Sequence, residues 1–447
     1  MNEIQKDFDE NSNISNDDIK EVPKQTEEVI NLVNFIQENS NNEEIFGQSL
    51  HQLVEILINN SRNDLQLLKC IDHTKILEDF MSFLFSENKD IVLDSLKLLS
   101  AITTYNTQYS SLIFQNEMLS NYLKLFESSC NEITMNLMIL ILNNMKGFQE
   151  LCLLFYDYFI REPENYSLTP YYALFTLKEL DYFQKLDNFQ YAKIIESLEL
   201  YIESGQKDAI IYSGLAIIKG IKHNIEPFRE HCVKHDWNDL FLTKFVFHPF
   251  LLVKKVGYKG LRAILIYIPH EFLCESNFAP IKSIFDGLFP PDESTCQMLN
   301  YLNEYIERFP SFINIFVVET IENDLTCFDH MISLLLDRTQ IYSYWCIKVI
   351  NSIIMNVSKS QLNKMHPDVI IPLILEWIET TDDNTFIGEI LTALQVWINC
   401  MQNDTAREFL CECFNILNTE HIFNELAESD DEYIADLSTK IFKQLTS

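Results

Sequence analysis

Few residues in this chain have the type and spacing that chemistry needs. His231 and His235 stand four apart, which places both imidazoles on one face of a helix, and that spacing suits a zinc ion. A structural zinc site takes four ligands, and a catalytic one takes three plus water. No Glu occupies the H-E-x-x-H position, and no second Cys or His cluster lies at finger spacing. His223 is eight residues upstream, but Pro227 intervenes and breaks that face. The histidines therefore read as surface and packing residues, and no metal is expected. Cys411 and Cys413 are one residue apart instead of two, which does not match a C-x-x-C redox pair. The patterns G-x-S-x-G, G-x-G-x-x-G and G-x-x-x-x-G-K-[ST] do not occur. The acid pairs Asp382–Asp383 and Asp430–Asp431 fall at turns between helical runs, where carboxylates serve as solvated caps. No catalytic residue and no cofactor is expected, and the protein reads as noncatalytic.

Charge is the most informative local feature. Between Lys219 and Arg262 there are nine basic residues and four acidic ones, so the segment is locally +5 in a chain of net charge −33. Lys and Arg give charge-assisted hydrogen bonds to carboxylate and phosphate. The segment therefore reads as a surface for an acidic or phosphorylated peptide, with Lys219, Arg229, Lys254, Lys255, Lys259 and Arg262 as contact residues. The competing reading spreads these charges over several helix faces and balances them against acids of the same protein. The overall charge disfavours nucleic acid and anionic membrane as partners. No stretch approaches the 18 apolar residues of a spanning helix, and the first 25 residues hold no apolar targeting core. The eleven cysteines are mostly isolated, as small core hydrophobes are. The expected location is cytoplasmic, with the nucleus as an additional compartment.

Helices must position these residues. The chain has 9 glycines and 12 prolines in 447 residues, too few for phosphate-binding loops or tight-turned β architectures, while 47% hydrophobic residues supply a core. One pattern recurs: an apolar helix, a short polar loop, then a second apolar helix. Residues 76–96 align with 118–138 at a spacing of 42, with apolar positions coinciding at 76/118, 77/119, 80/122, 81/123, 84/126, 91/133 and 96/138. Loops centre near Asn41, Asn88, Asn131, Gln206, His248, Asp292, Arg338, Asp383 and Asp430, most of them about 42–47 residues apart. An extra loop near Glu162–Ser167 fits the longer gap between 131 and 206, for a total of about ten units. Ile387, Ile390, Leu391, Leu394 and Ile398 share one helix face, and Thr169–Pro170 has the form of a helix start. Residues 1–25 read as a disordered acidic tail, and residues 26–447 as one repeat array. A unit of this size cannot bury its own apolar faces, so neighbours must stack.

A helical repeat of this length resembles the armadillo and HEAT superfamily. Ala393-Leu394-Gln395-Val396-Trp397-Ile398-Asn399 is similar to the armadillo third helix, A-L-x-x-L-x-N. Cys346–Asn351 follows it in part, and Leu137–Asn143 is a looser copy. The resemblance implies an all-α, right-handed α-solenoid of about ten repeats that works as a scaffold or adaptor, holding a peptide or protein along its concave groove. It implies Asn351 and Asn399 as amides for a peptide main chain, and Trp345 and Trp397 as groove-facing rings. A nuclear transport receptor or a phosphatase-regulatory solenoid has the same architecture. Importin-alpha-like proteins carry Trp four residues before the ladder Asn; here those positions hold Gln395, Ile347 and Ile139, so a nuclear-localisation-signal pocket is not expected.

Overall fold

The computed structural model describes residues 18–39, 42–59, 83–84, 86–105, 169–180, 186–273, 291–318, 320–322, 325–336, 340–362, 365–400, 412 and 420–446. The chain divides into two compact units, residues 1–185 and 186–447. That division falls inside the irregular 131–206 interval. The regular structure is helical, as expected, apart from one antiparallel pair among the described residues. In it β1 (Thr320–Glu322) faces β2 (Leu325–Thr326), with Thr320 opposite Thr326.

The first unit contains α1 (Asp18–Glu38), α2 (Glu43–Asn59), α3 (Lys89–Tyr105) and α4 (Thr169–Glu179). Val29, Val33 and Ile36 recur at helical spacing and bury one stripe of α1, which packs on α2. Phe46, Leu50 and Leu53 of α2 are buried in turn, and α2 packs on α3, whose Ile91, Leu96, Leu99 and Ile102 are buried. The side chain of Asn88 opens α3, its Oδ1 accepting from the Asp90 amide at 3.0 Å. Thr169 and Pro170 open α4 as expected. Helix α1 begins at Asp18, inside the stretch expected to be a tail; residues 1–17 lie outside the described residues. The 118–138 copy and the loops at Asn131 and Glu162–Ser167 also lie outside them, as do Asn41 and Arg338.

The second unit is built on a row of long helices. These are α6 (Lys207–Lys222), α8 (Leu251–Tyr267), α9 (Thr295–Arg308), α11 (Gln340–Asn356), α13 (Asn384–Cys400) and α15 (Glu432–Thr446), and each packs on the next. They start at 207, 251, 295, 340, 384 and 432, at intervals of 44, 44, 45, 44 and 48. Before and between them, the helices of eight residues or more are α5 (Asn188–Glu203), α7 (Glu226–Lys234), α10 (Cys327–Leu336), α12 (Pro367–Thr380) and α14 (Glu420–Ala427) among the described residues. The loops read at Gln206, His248, Asp292, Asp383 and Asp430 each lie just ahead of a row helix. The acidic turns act as caps there. Asp383 Oδ1 accepts from the Thr385 and Phe386 amides at 3.0 and 3.2 Å, and Asp431 Oδ1 accepts from those of Tyr433 and Ile434 at 3.0 and 3.3 Å. Cys232, Cys327 and Cys346 are buried as small apolar residues, and burial pushes the Cys232 and Cys346 thiols up to about 12.

Aromatic rings lie directly on helix backbone where glycine leaves room. A Cβ added at Gly220 of α6 would meet the Phe228 ring at 2.3 Å, and one at Gly260 of α8 would meet the Phe241 ring at 2.3 Å. Phe241 belongs to a π-helical turn (Phe241–Val246) that joins α7 to α8. Phe228, fully buried, also stands edge-on to Tyr191 and Trp237, with centroids 6.2 and 6.1 Å away. It thereby seats α7 against both α5 and α6.

Charged pairs tie neighbouring elements. Lys244 reaches Glu203 at 2.9 Å, Lys254 reaches Asp292 at 3.5 Å, Lys255 reaches Glu293 at 2.6 Å, and Arg262 reaches Glu304 at 2.7 Å. At Asp292 partial burial works to raise the carboxyl pKa. Hydrogen bonds from the Ser294 hydroxyl and amide, with the Lys254 charge, outweigh it and hold the group below its ordinary value.

Two outcomes follow from this packing. Gly220→Ala drives a methyl into a ring that has no room to move, and is expected to destabilise the protein by about 1–3 kcal/mol in urea unfolding. At Asp292 the folded-state pKa is depressed, so its contribution is present above the unfolded value and is lost as pH falls through the folded one. Wild type is therefore expected to lose more stability than Asp292→Asn between pH 7 and pH 3, measured by urea unfolding at both; equal losses would remove the role given to this carboxylate.

Candidate interaction surface

Helices α9, α11, α13 and α15 line an open cleft of about 530 Å³. Polar bridges run between neighbours along it. The Ser352 hydroxyl of α11 donates to Asn303 Oδ1 of α9 at 2.7 Å, and Asn303 Nδ2 donates to Glu307 at 3.1 Å. Lys348 of α11 reaches Glu389 of α13 at 3.5 Å, and the Thr392 and Tyr433 hydroxyls, from α13 and α15, meet at 2.8 Å. Lys348 Nζ also lies 5.3 Å from the centroid of Tyr344, 6.0 Å from Trp345 and 5.9 Å from Phe386. Burial works against the Lys348 charge, yet the hydrogen bond to Tyr344 and the Glu389 carboxylate outweigh it, and the ammonium pKa lies above its ordinary value.

Asn351 lines the same cleft and is 4% exposed, and neither its Nδ2 nor its Oδ1 has a hydrogen-bond partner. A buried amide left this way costs about 1–3 kcal/mol for each unsatisfied group. The other groove residues read from the sequence are placed differently. Asn399 is exposed, and its Oδ1 accepts from Gln395 at 3.2 Å and from Gln444 at 3.3 Å. Trp345 is half-buried and edge-on to Tyr344 at 5.1 Å. Trp397 is fully buried in the stripe of Ile390, Leu394 and their neighbours, so it belongs to the core of α13 and not to a groove wall.

Four of the six basic residues have partners within the protein. Lys254, Lys255 and Arg262 are engaged with the acids of the next element, as described above. Arg229 Nη1 donates to Asn224 at 2.9 Å, at the start of α7. Lys219 is half-buried on α6. Lys259 is exposed and has no acid partner among the described residues. It stands close to Lys222, whose pKa is lowered first by desolvation and then by the Arg262 and Lys259 charges. Internal balance, the competing reading of this segment, accounts for at least four of its nine basic residues, Lys244, Lys254, Lys255 and Arg262.

Sequence reasoning missed Glu199. This carboxylate on α5 lies 3.1 Å from His231 Nε2 and accepts a hydrogen bond from the Trp237 indole at 2.7 Å. Desolvation acts to raise its pKa, but the bonds from His231 and Trp237 prevail and lower it. The partner is 32 residues upstream on a different helix, so no local spacing signals it.

No family model and no curated protein matches the chain. Among solved structures, it is similar to the crystal structure of an engineered protein, at 12% identity and a TM-score of 0.61, over 95% of this chain and 99% of that one. It also aligns, at 10% identity and a TM-score of 0.48, with a chain solved in work on a phosphorylation switch between cadherin and beta-catenin, over 93% of this chain and 100% of that one. The second score is too low to relate the two folds. What the first likeness establishes is a shared all-helical fold, without a function attached to it.

Proposed function

We propose that this protein is a noncatalytic scaffold, an armadillo/HEAT-type α-solenoid that holds an extended segment of a partner protein along the cleft of α9, α11, α13 and α15. The observation that carries the reading is Asn351. Its side chain lies at the cleft wall with one donor group and one acceptor group unpaired and buried, so turning the amide toward the cleft satisfies both on a bound segment. A peptide main chain presents the matching acceptor and donor, whatever its side chains are. The 44-residue succession of row helices supports the solenoid reading, since stacked repeats present equivalent positions at each interval. The charged groups of the cleft are Glu307, Glu389 and Asp431 against Lys348, so the bound segment is read as neutral to basic instead of acidic or phosphorylated.

A displayed library of random peptides tests this reading, with wild type and Asn351→Leu as baits. Wild type is expected to enrich a related set of peptides of neutral to basic charge, and Asn351→Leu to lose that set. In the same variant, urea unfolding is expected to show stability unchanged or raised by about 1 kcal/mol, because an unsatisfied buried amide is replaced by an apolar group of similar size. Enrichment that survives the substitution, or a variant that is strongly destabilised, would make Asn351 a structural residue and end the proposal.

A further inference from the structure

The histidine pair that the sequence leaves two ligands short of a metal site gains a third ligand from another helix. His231 and His235 occupy the end of α7, and α5 passes beside it. The ligand atoms of Glu199, His231 and His235 all lie within 4.8 Å of one another. Around a four-coordinate zinc ion with bonds of about 2.0–2.2 Å, neighbouring ligand atoms sit roughly 3.3 Å apart. Glu199 and His231 lie slightly inside that spacing at 3.1 Å, where an ion would displace the proton of their hydrogen bond. The two imidazoles stack face to face, centroids 3.7 Å apart and planes 5° apart. The remaining adjustment falls on His235, whose ring is exposed but stacked on that of His231 and has to turn out of the stack for both rings to point at one ion.

Two further features suit a divalent cation. The Trp237 indole donates to Glu199 Oε1 at 2.7 Å and sets the orientation of the carboxylate, the part played by the outer shell in metal sites. Trp237 is itself fully buried and cannot swing away. Finally, His235 caps the carbonyl end of α7, where a positive charge is favoured. Cys232 lies between the two histidines in sequence but is turned into the core, with its thiol pushed up to about 12, so it does not join them.

We infer that Glu199, His231 and His235 form a three-ligand site for a late first-row divalent cation, zinc above all, with the fourth position open to water. Two imidazoles and one carboxylate suit zinc better than magnesium or calcium, which prefer shells made of oxygen. A bound ion would fasten α7 to α5. The site is separate from the cleft of α9–α15, and its test does not depend on the peptide-binding reading.

The experiment uses the full chain, stripped with a chelator and titrated with Zn²⁺ by calorimetry in excess Mg²⁺, which occupies exposed carboxylates. Wild type is compared with His235→Gln and Glu199→Gln. His235→Gln changes an exposed side chain, so it keeps the test valid if Glu199→Gln disturbs packing around Trp237. Wild type is expected to bind one Zn²⁺ at this site and to show a Zn²⁺-dependent rise in its thermal unfolding midpoint. His235→Gln is expected to bind at least about tenfold more weakly and to lose that rise. Binding of equal affinity and stoichiometry in wild type and His235→Gln would overturn the site, as would a wild type that takes up no Zn²⁺ in excess Mg²⁺.

Discussion

Each helix of the second unit's row is buried by the helix that begins about 44 residues later, and the rest of that unit follows from this constraint. A helix such as α9 has apolar residues on more than one side, with Met298, Leu299, Tyr301, Leu302, Tyr305 and Ile306 all buried. No single neighbour covers so wide a surface, so α9 is packed by α8 before it and α11 after it. Polar contacts obey the same interval. The pairs Lys244–Glu203, Arg262–Glu304 and Thr392–Tyr433 are separated by 41, 42 and 41 residues. An ion pair in this unit is therefore mostly a joint between consecutive layers, and a charge count along the sequence does not reveal that.

This explains what was legible in the sequence. The interval was, because it is written in local apolar spacing and in the caps that precede each row helix, Asp383 and Asp431 among them. The loops at Gln206, His248 and Asp292 were legible for the same reason. The pairing of the basic stretch was not legible, because Asp292, Glu293 and Glu304, the acids that meet Lys254, Lys255 and Arg262, lie on the next layer and outside any window around the lysines. Trp397 misled for another reason. The seven-residue likeness to an armadillo third helix shows which residues share a helix, but the side on which Trp397 falls depends on its neighbours. Asn351 was legible as a position, though not its state, since a missing hydrogen-bond partner is a property of everything around it.

Glycine scarcity has a second meaning in the folded chain. Three of the nine glycines, Gly214, Gly220 and Gly260, stand where aromatic rings press on α6 and α8, and Gly257 lies against Phe245 Cβ and the Val246 backbone. They are flat places in the backbone more than points of flexibility, and the rings of Phe228, Phe241 and Phe245 use them to approach closely. The geometry around Glu199 depends on one such place. Phe228 seats α7 on Gly220, and the histidine face of α7 then turns toward α5.

The buried thiols have a consequence for how this molecule opens. With a pKa near 12, Cys232 and Cys346 are almost devoid of thiolate at neutral pH, and an alkylating reagent cannot reach them while α7 and α11 stay packed. Each sulfur is thus a clock built into a different layer. The rate at which one is capped reports how often that layer parts from its neighbours, so two reaction rates from one sample would tell whether the layers breathe together or one at a time.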